Sequence, residues 1–166
     1  LASGGFFFAM RGCEFSKTEK RGKTTPIELR DVLFRDAKKK ELKLFDANLE
    51  KEARFVTITF RDQKNGKKMD VRTHSKSGDK TLCPVLIWSR ICRRVSKETS
   101  NPRTKVFTLL RGERRLDISS GRIVRSIKSI GRTIIDRHPG INIEKIGSRS
   151  IRSGAAMALF IKDHHP

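Results

Sequence analysis

The stretch ARFVTITFRDQKNGKKMDVRTH, residues 53–74, predicts the sheet on which the rest of the chain packs. In its first half apolar residues alternate with others, so Val56, Ile58 and Phe60 fall on one face of an extended strand. Asn65-Gly66 is the dipeptide that a two-residue type I′ turn prefers. The second half is therefore expected to return as an antiparallel strand, and the whole stretch to form a β-hairpin.

The predicted turn also sets the register of the two strands. It places Lys64 opposite Lys67 and Phe60 opposite Val71, so that the apolar residues of both strands share a face. The same register pairs Arg61 with a residue of the other face, Asp70. Lys64 then sits at the hairpin tip on the core-facing side, from which it can reach a ligand at the edge of the body. The alternative is a solvated turn lysine.

The pattern changes to helical after the hairpin. Residues 82–97, LCPVLIWSRICRRVSK, predict a helix that begins near Pro84. Residues 119–140 predict a second helix, which HPG ends. The stripes expected to be buried are Val85, Trp88, Cys92 and Val95 in the first helix, and Ile123, Ile127, Ile130 and Ile134 in the second.

The segments before the hairpin are shorter. SGGFFFAM, residues 3–10, indicates the end of an apolar helix, and residues 16–26 indicate an exposed polar loop. Short alternations at 27–34 and 40–45 indicate strands. The expected fold class is therefore α+β, mostly α-helical with a small three-stranded antiparallel sheet. We expect one domain over residues 1–166, incomplete at both ends.

The charge of the chain restricts its partners. Lys and Arg number 38 against 18 Asp and Glu, which gives a net charge of +20. Such a field attracts polyanions, nucleic acid first and an anionic membrane surface second. Cys13, Cys83 and Cys92 lack metal-ligand spacing and are expected to be reduced thiols, mostly in the core. No metal, cofactor or membrane partner is expected.

Residues 146–160, IGSRSIRSGAAMALF, describe a helix that begins with two arginines. Arg149 and Arg152 are three positions apart and share a face in the first turn, where the helix dipole is already positive. A cation there typically costs about 0.3–1 kcal/mol. A bound anion, above all a phosphate, would turn this cost into a gain. The alternative is a solvated basic face.

A third arginine stands close to apolar residues. Arg11 follows three phenylalanines, and Glu14 comes three residues later. An arginine so near the core is expected to be held by a carboxylate or a ligand. The alternative is an ordinary ion pair between Arg11 and Glu14 on a helix.

Taken in order, these segments resemble the catalytic domain of the tyrosine recombinases, the phage-integrase type of DNA strand-transfer enzyme. AMRGCE (9–14) is similar to the first arginine box of that family, and QKNGKK (63–68) to its lysine turn. IGSRSIRSGAAMA (146–158) is similar to the second box, normally His-x-x-Arg before small residues. LCPV (82–85) and SIRSGAAM (150–157) look closest to divergent eukaryotic members found in mobile elements.

The resemblance implies a role for each matched residue. Arg11 and Arg152 would clamp the scissile phosphate with two hydrogen bonds each. Lys64 would be the general acid that protonates the leaving 5′ oxygen, and Glu14 would orient the first box. The same resemblance implies DNA contacts by Lys64 and its neighbour Lys67. The implied activity is DNA recombination or integration through a 3′ phosphotyrosine.

The chain departs from the family at three places, one of which is a longer separation between Arg11 and Lys64 than in compact bacterial relatives. Arg149 stands where the family has its histidine, and an arginine is a poor proton acceptor at neutral pH; it is retained as a catalytic and DNA-binding candidate. The chain has no tyrosine, so it is expected to stop before the nucleophile and to be inactive as it stands. The expected partners are double-stranded DNA and further copies of the chain on that DNA. The expected location is intracellular, and nuclear if the source is eukaryotic. The alternative is a non-catalytic basic nucleic-acid-binding module.

Overall fold

The computed structural model describes residues 1–18, 24–112 and 114–164, and the predicted loop at 16–26 lies in part outside them. The helices are α1 (Ala2–Phe7), α2 (Gly12–Phe15), α3 (Leu49–Glu52), α4 (Pro84–Ser96), α5 (Ser120–Ile134) and α6 (Ser148–His164). The strands are β1 (Val32–Arg35), β2 (Glu41–Leu42), β3 (Phe55–Asp62), β4 (Lys68–Ser75), β5 (Thr108–Arg111) and β6 (Arg114–Asp117). The predicted α+β class is confirmed.

The main sheet is antiparallel, with strand order β2-β1-β3-β4. It has four strands rather than the predicted three, because β2 adds a two-residue strand at the edge through the pairs of Phe34 with Leu42 and Arg35 with Glu41. β3 is central, and its Val56 and Ile58 are fully buried. The hairpin predicted at 53–74 therefore supplies one interior strand and one edge strand of the main sheet.

The loop of that hairpin differs from the prediction. The Gln63 amide donates to the Lys67 carbonyl at 2.9 Å, which leaves three residues in the loop. Gly66 has a φ of +82°, whereas Asn65 does not lie in the left-handed region. A type I′ turn needs positive φ at both central residues, so the type I′ prediction is wrong. The loop instead matches a type I turn followed by a glycine bulge.

The extra loop residue shifts the register by one position. Phe60 lies opposite Asp70, and Val71 lies opposite Thr59 and is 54% exposed. The expectation that the apolar residues of both strands share a face is therefore wrong. The face of β4 beside the core carries Asp70, Arg72 and His74 instead.

The predicted meeting of Arg61 with Asp70 is also wrong, because the shift moves Asp70 to the other face. Arg61 instead forms ion pairs with Asp31 at 3.0 Å and Glu28 at 3.1 Å. Glu28 caps the start of the 3-10 turn Leu29–Asp31 that precedes β1, and Asp31 is the last residue of that turn. The arginine therefore ties β3 to that turn.

Helix α4 packs against the sheet, and the apolar stripe predicted for this helix is buried as expected. Val85, Trp88, Cys92 and Val95 are all buried. The Trp88 indole N–H donates to the Gly4 carbonyl at 3.3 Å, and a Cβ at Gly4 would lie only 3.2 Å from the Trp88 ring. A glycine is needed there because α1 approaches α4 so closely. Cys83 and Cys92 are buried and Cys13 half-buried, and all are free thiols as expected.

The stripe predicted for α5 is buried only over its first half. Ile123 belongs to the main core and Ile127 packs against it, but Ile130 is 66% exposed and Ile134 is also exposed. The second half of α5 instead meets the 3-10 turn Ile143–Lys145 on another face, through Gly131 beside Ile143 and Arg132 bonded to Glu144. None of the helices in the described part of the chain has the length and apolar character required to cross a lipid bilayer.

A second antiparallel sheet of two strands, β5 and β6, lies between α4 and α5 in the chain and was not predicted. Each strand has four residues and neither alternates cleanly, so the sequence carries little strand signal there. The Thr108 hydroxyl donates to the Asp117 carboxylate at 3.0 Å across the pair. The predicted order of strands followed by helices is therefore interrupted by this ribbon.

Candidate phosphate-binding groove

A groove of about 660 Å³ lies where the end of α1, the β3–β4 hairpin and α6 meet. The first segment contributes residues 6–9, 11 and 14, the hairpin contributes 60, 63, 65, 67, 70 and 72–74, and α6 contributes 152, 155, 158 and 159. Its lining combines aromatic and small apolar side chains with several cations. We refer to it below as the groove.

Arg11 reaches the groove because the chain turns sharply after α1. Ala9 has a φ of +46°, in the left-handed region, and Met10 is fully buried behind the turn. Arg11 is the N-cap of α2, where its backbone amide donates to the Glu14 carboxylate at 2.7 Å. Its guanidinium lies 3.4 Å from the other oxygen of Glu14. The predicted pair of Arg11 and Glu14 is thus present, and it fixes the arginine at the groove.

Glu14 is 3% exposed, so its charge depends on its neighbours. Burial raises the pKa of the Glu14 carboxyl above its ordinary value. The amide and guanidinium of Arg11, followed by the charge of Arg152, act in the opposite direction on that pKa. The carboxylate therefore lies within electrostatic reach of both arginines.

Close packing at Gly12 brings Arg152 toward Arg11. A Cβ at Gly12 would lie 3.3 Å from Ser148 Cβ and 3.5 Å from Ser120 Oγ, so the first turns of α5 and α6 both meet the start of α2. Ser148 and Arg152 are four residues apart and share a face of α6. The face that touches Gly12 thus also directs Arg152 to the groove.

The electrostatic character of this region is positive. The N-termini of α5 and α6 meet beside Gly12. The helix dipoles place partial positive charge at each of these two N-termini. In the part of the chain that the structure describes, Arg152 has no carboxylate within ion-pair distance. Glu14 lies close enough for its pKa to be affected by the charge of Arg152.

The predicted site residues divide into two groups. The structure brings four of them to the groove, Arg11, Glu14, Lys67 and Arg152. Two others are exposed and do not line it, Lys64 and Arg149.

The local structure explains why Lys64 and Arg149 do not line the groove. Lys64 lies in the three-residue loop at the tip of the hairpin, beyond the groove wall. Arg149 follows Ser148 by one residue and is rotated about 100° around α6 from the face that meets Gly12. Both side chains remain available to the surface around the groove.

The polar side chains of β4 that line the groove were not predicted from the sequence. Arg72 pairs with Asp70 at 3.2 Å, and His74 packs edge-on against Phe8 with ring centroids 4.5 Å apart. Asp70, Arg72 and His74 occupy every second position, which was the available signal for a shared face. The wrong register assigned that face to solvent.

The groove has the chemistry of an anion site, with donors from separate elements around a single space. No group of three or more His, Cys, Asp or Glu side chains suited to a metal ion occurs among residues 1–18, 24–112 and 114–164. Arginine pairs of this kind bind phosphate oxygens through two hydrogen bonds each. No protein-family model, curated protein or solved structure matches the chain.

Proposed function

We propose that the chain is the DNA-binding, phosphate-clamping core of a tyrosine-type site-specific recombinase or integrase. One observation carries the proposal: Arg11 and Arg152, from nearly opposite ends of the sequence, line one groove with Glu14 buried beside them. A net charge of +20 supports a polyanionic partner. The proposed ligand of the groove is a phosphodiester of duplex DNA.

The proposed clamp acts through placed donors. Glu14 orients Arg11, and the packing at Gly12 orients Arg152, so both guanidinium groups are in position before the phosphate arrives. Such donors stabilise the additional negative charge that a phosphodiester gathers during strand transfer. Arg149, beside the groove, would contact the DNA backbone rather than the clamped phosphate.

The general acid of the proposal is a lysine of the hairpin. Lys64 holds that role by resemblance to the family. Lys67 lines the groove and Lys64 does not, which favours Lys67 as the lysine that contacts the phosphate. Whichever of the two lysines is the general acid would donate one proton to the leaving 5′ oxygen.

A second candidate function is a non-catalytic basic nucleic-acid-binding module. The chain contains no tyrosine, so the proposed cleavage through a phosphotyrosine has no nucleophile within it. Arg149 stands in place of the family histidine and cannot accept a proton, which also favours a non-catalytic module. The first candidate binds double-stranded DNA, with further copies of the chain as proposed partners there and a nuclear location if the source is eukaryotic. The second candidate binds nucleic acid, either DNA or RNA.

The first experiment measures binding to duplex DNA against salt, with anionic vesicles as the comparison. Vesicles are a demanding control because α5 places Arg122 and Arg125 near the exposed Ile130. If about six phosphates are neutralised, log affinity falls with log salt at a slope near −5. A flat titration, or tighter binding to vesicles than to DNA, would refute the first candidate, and the same result with RNA would refute the second.

The second experiment separates the two candidates. A nicked suicide duplex is incubated with the chain and with a version that carries a tyrosine-bearing helix after residue 166, and covalent adducts are resolved by denaturing electrophoresis. The chain itself is expected to form none. An adduct in the extended version that Arg152→Ala abolishes would support the recombinase. An adduct with the chain itself would show that the proposed chemistry is wrong.

A further inference from the structure

The groove contains an ionisable group that the proposed clamp does not use, the imidazole of His74. It lies two residues after Arg72 on the same face of β4, and both side chains line the groove. Its ring packs edge-on against Phe8, with centroids 4.5 Å apart, and against Phe7 at 6.5 Å. Phe8 in turn packs edge-on against the buried Trp88. The imidazole is therefore held at the groove wall by the core.

The hydrogen bonding of the ring limits what it can offer to a ligand. The backbone of Phe7 lies beside the His74 ring and acts to raise the pKa of His74, as a carbonyl acceptor does. A neutral imidazole has one donor nitrogen and one acceptor nitrogen. An N–H that faces Phe7 leaves the neutral ring with a lone pair toward the rest of the groove. A phosphate oxygen is also an acceptor, so contact between the two requires a second proton on the ring.

The charged groups around His74 leave room for an anion. Those that share the groove with it are Arg11 and Glu14 from the first segment, Lys67, Asp70 and Arg72 from the hairpin, and Arg152 from α6. Each carboxylate is already paired, Glu14 with Arg11 and Asp70 with Arg72. Helix α4 also packs against β4, but its Arg90 and Arg93 pair with Glu50 away from the groove.

The protonation state of the free ring follows from its surroundings. Burial lowers the pKa of His74 below its ordinary value, and the Phe7 bond offsets this only in part. The unliganded ring is therefore neutral at neutral pH. A phosphate in the groove would favour the charged ring and raise this pKa.

We propose that His74 is a further phosphate ligand of the groove, and that its ring takes up a proton when a phosphodiester binds. The proton comes from solvent, and the resulting imidazolium donates one N–H to Phe7 and the other to a phosphate oxygen. The inference rests on the proposed function, because it needs a phosphate in the groove. It makes DNA binding dependent on pH as well as on salt.

The first test measures affinity for a duplex of about 20 base pairs, roughly two helical turns, at one fixed salt concentration. Between about pH 8 and pH 5.5, wild-type affinity is expected to rise as pH falls. The rise approaches about tenfold for each unit by which binding raises the His74 pKa. His74→Gln is expected to remove this rise. His138→Gln is the matched control, since His138 is exposed and does not line the groove.

The second test counts protons by calorimetry in two buffers of different ionisation enthalpy near neutral pH. Wild type and His138→Gln are expected to take up a fraction of a proton, at most about one, on binding the duplex, and His74→Gln none. Equal uptake or equal pH dependence in His74→Gln would overturn the inference. Such a result would not contradict the proposed phosphate clamp, provided that Arg152→Ala still weakened binding to the duplex. Failure of wild type to bind the duplex would overturn both.

The third measurement needs no variant and covers the case in which His74→Gln does not fold. The ring resonances of His74 are titrated by NMR in wild type, with and without the duplex. A higher pKa with the duplex is expected. An unchanged or lower pKa would refute the proton uptake directly.

Discussion

Arg152→Ala should weaken binding to duplex DNA far more than Lys68→Ala does, although each removes one positive charge. Arg152 lines the groove and is directed there by the Gly12 contact, whereas Lys68 is exposed on β4 and does not line it. A hydrogen bond to a charged group contributes about 1.5–3 kcal/mol. Two such bonds in an open, solvated groove are discounted here to about 2–3 kcal/mol in total, which corresponds to about 30–150-fold in Kd.

The expected loss for Lys68→Ala is much smaller, about 0–1 kcal/mol or at most about fivefold, as for other exposed charges. Both variants should reduce the salt slope by about the same amount, near 1, because each removes one phosphate contact at most. Arg152→Lys should fall between wild type and Arg152→Ala, since a lysine keeps the charge but not the two-pronged geometry.

The assay is fluorescence anisotropy with a labelled duplex at several salt concentrations, with thermal melts to show that each variant is folded. The predicted signature is an affinity gap between Arg152→Ala and Lys68→Ala at every salt concentration, with parallel slopes. If the two variants lose the same affinity, only bulk charge matters. The clamp would then be wrong, and the basic-module alternative would gain.

The remaining predictions concern the walls and floor of the groove. Lys67→Ala should weaken binding to the duplex by severalfold more than Lys64→Ala in the same anisotropy assay, because only Lys67 lines the groove; the reverse order would restore Lys64 as the contacting lysine. Gly12→Val should lower the free energy of unfolding by about 1–3 kcal/mol and also weaken DNA binding, because a Cβ at Gly12 would lie 3.3 Å from Ser148. Gly121→Val is the control, since a Cβ at Gly121 would meet no neighbour within 4 Å. Glu14→Gln should become more stable relative to wild type as pH rises from about 4, because burial raises the Glu14 pKa and ionisation then destabilises the wild-type fold. Urea unfolding of both proteins across that range measures the difference, and a difference that stays constant or shrinks would contradict the cause assigned to the shift.

The parts of the fold that were predicted correctly are those with a local pattern. The stripe of α4 is buried as expected because four apolar residues at helical spacing leave little freedom in how the helix packs. The stripe of α5 has the same spacing, yet Ile130 is exposed. Spacing gives the apolar face of a helix, but the neighbours that cover it come from other parts of the chain.

The hairpin shows a finer limit of the same kind. Asn65-Gly66 is compatible with both a two-residue and a three-residue loop, and the φ values of these two residues decide between them. The difference of one residue moved Val71 to solvent and brought His74 to the groove. A small error in turn type thus concealed one wall of the candidate site.

The meeting of Arg11 and Arg152 was expected only through resemblance to a family. The cause that the structure gives is the close approach of Gly12 to Ser148, a contact between distant segments that no local pattern shows. Lys64 and Arg149 occupy positions of the same motifs, Arg149 in place of the family histidine, but neither lines the groove. A motif records which residues occur together, whereas the groove depends on how two helix starts pack.

Strand β4 lies at the margin of the main sheet, since the described residues place no further strand beyond it. An eight-residue strand in that position is a template for pairing with another chain. Lys68 and Arg72 set charges along it, and Met69, with a φ of +52°, interrupts its regular backbone. Like charges and irregular edges oppose strand addition between molecules. The charges of Lys68 and Arg72 therefore also guard the sheet against edge-to-edge aggregation, and neutralising Arg72 would weaken that protection.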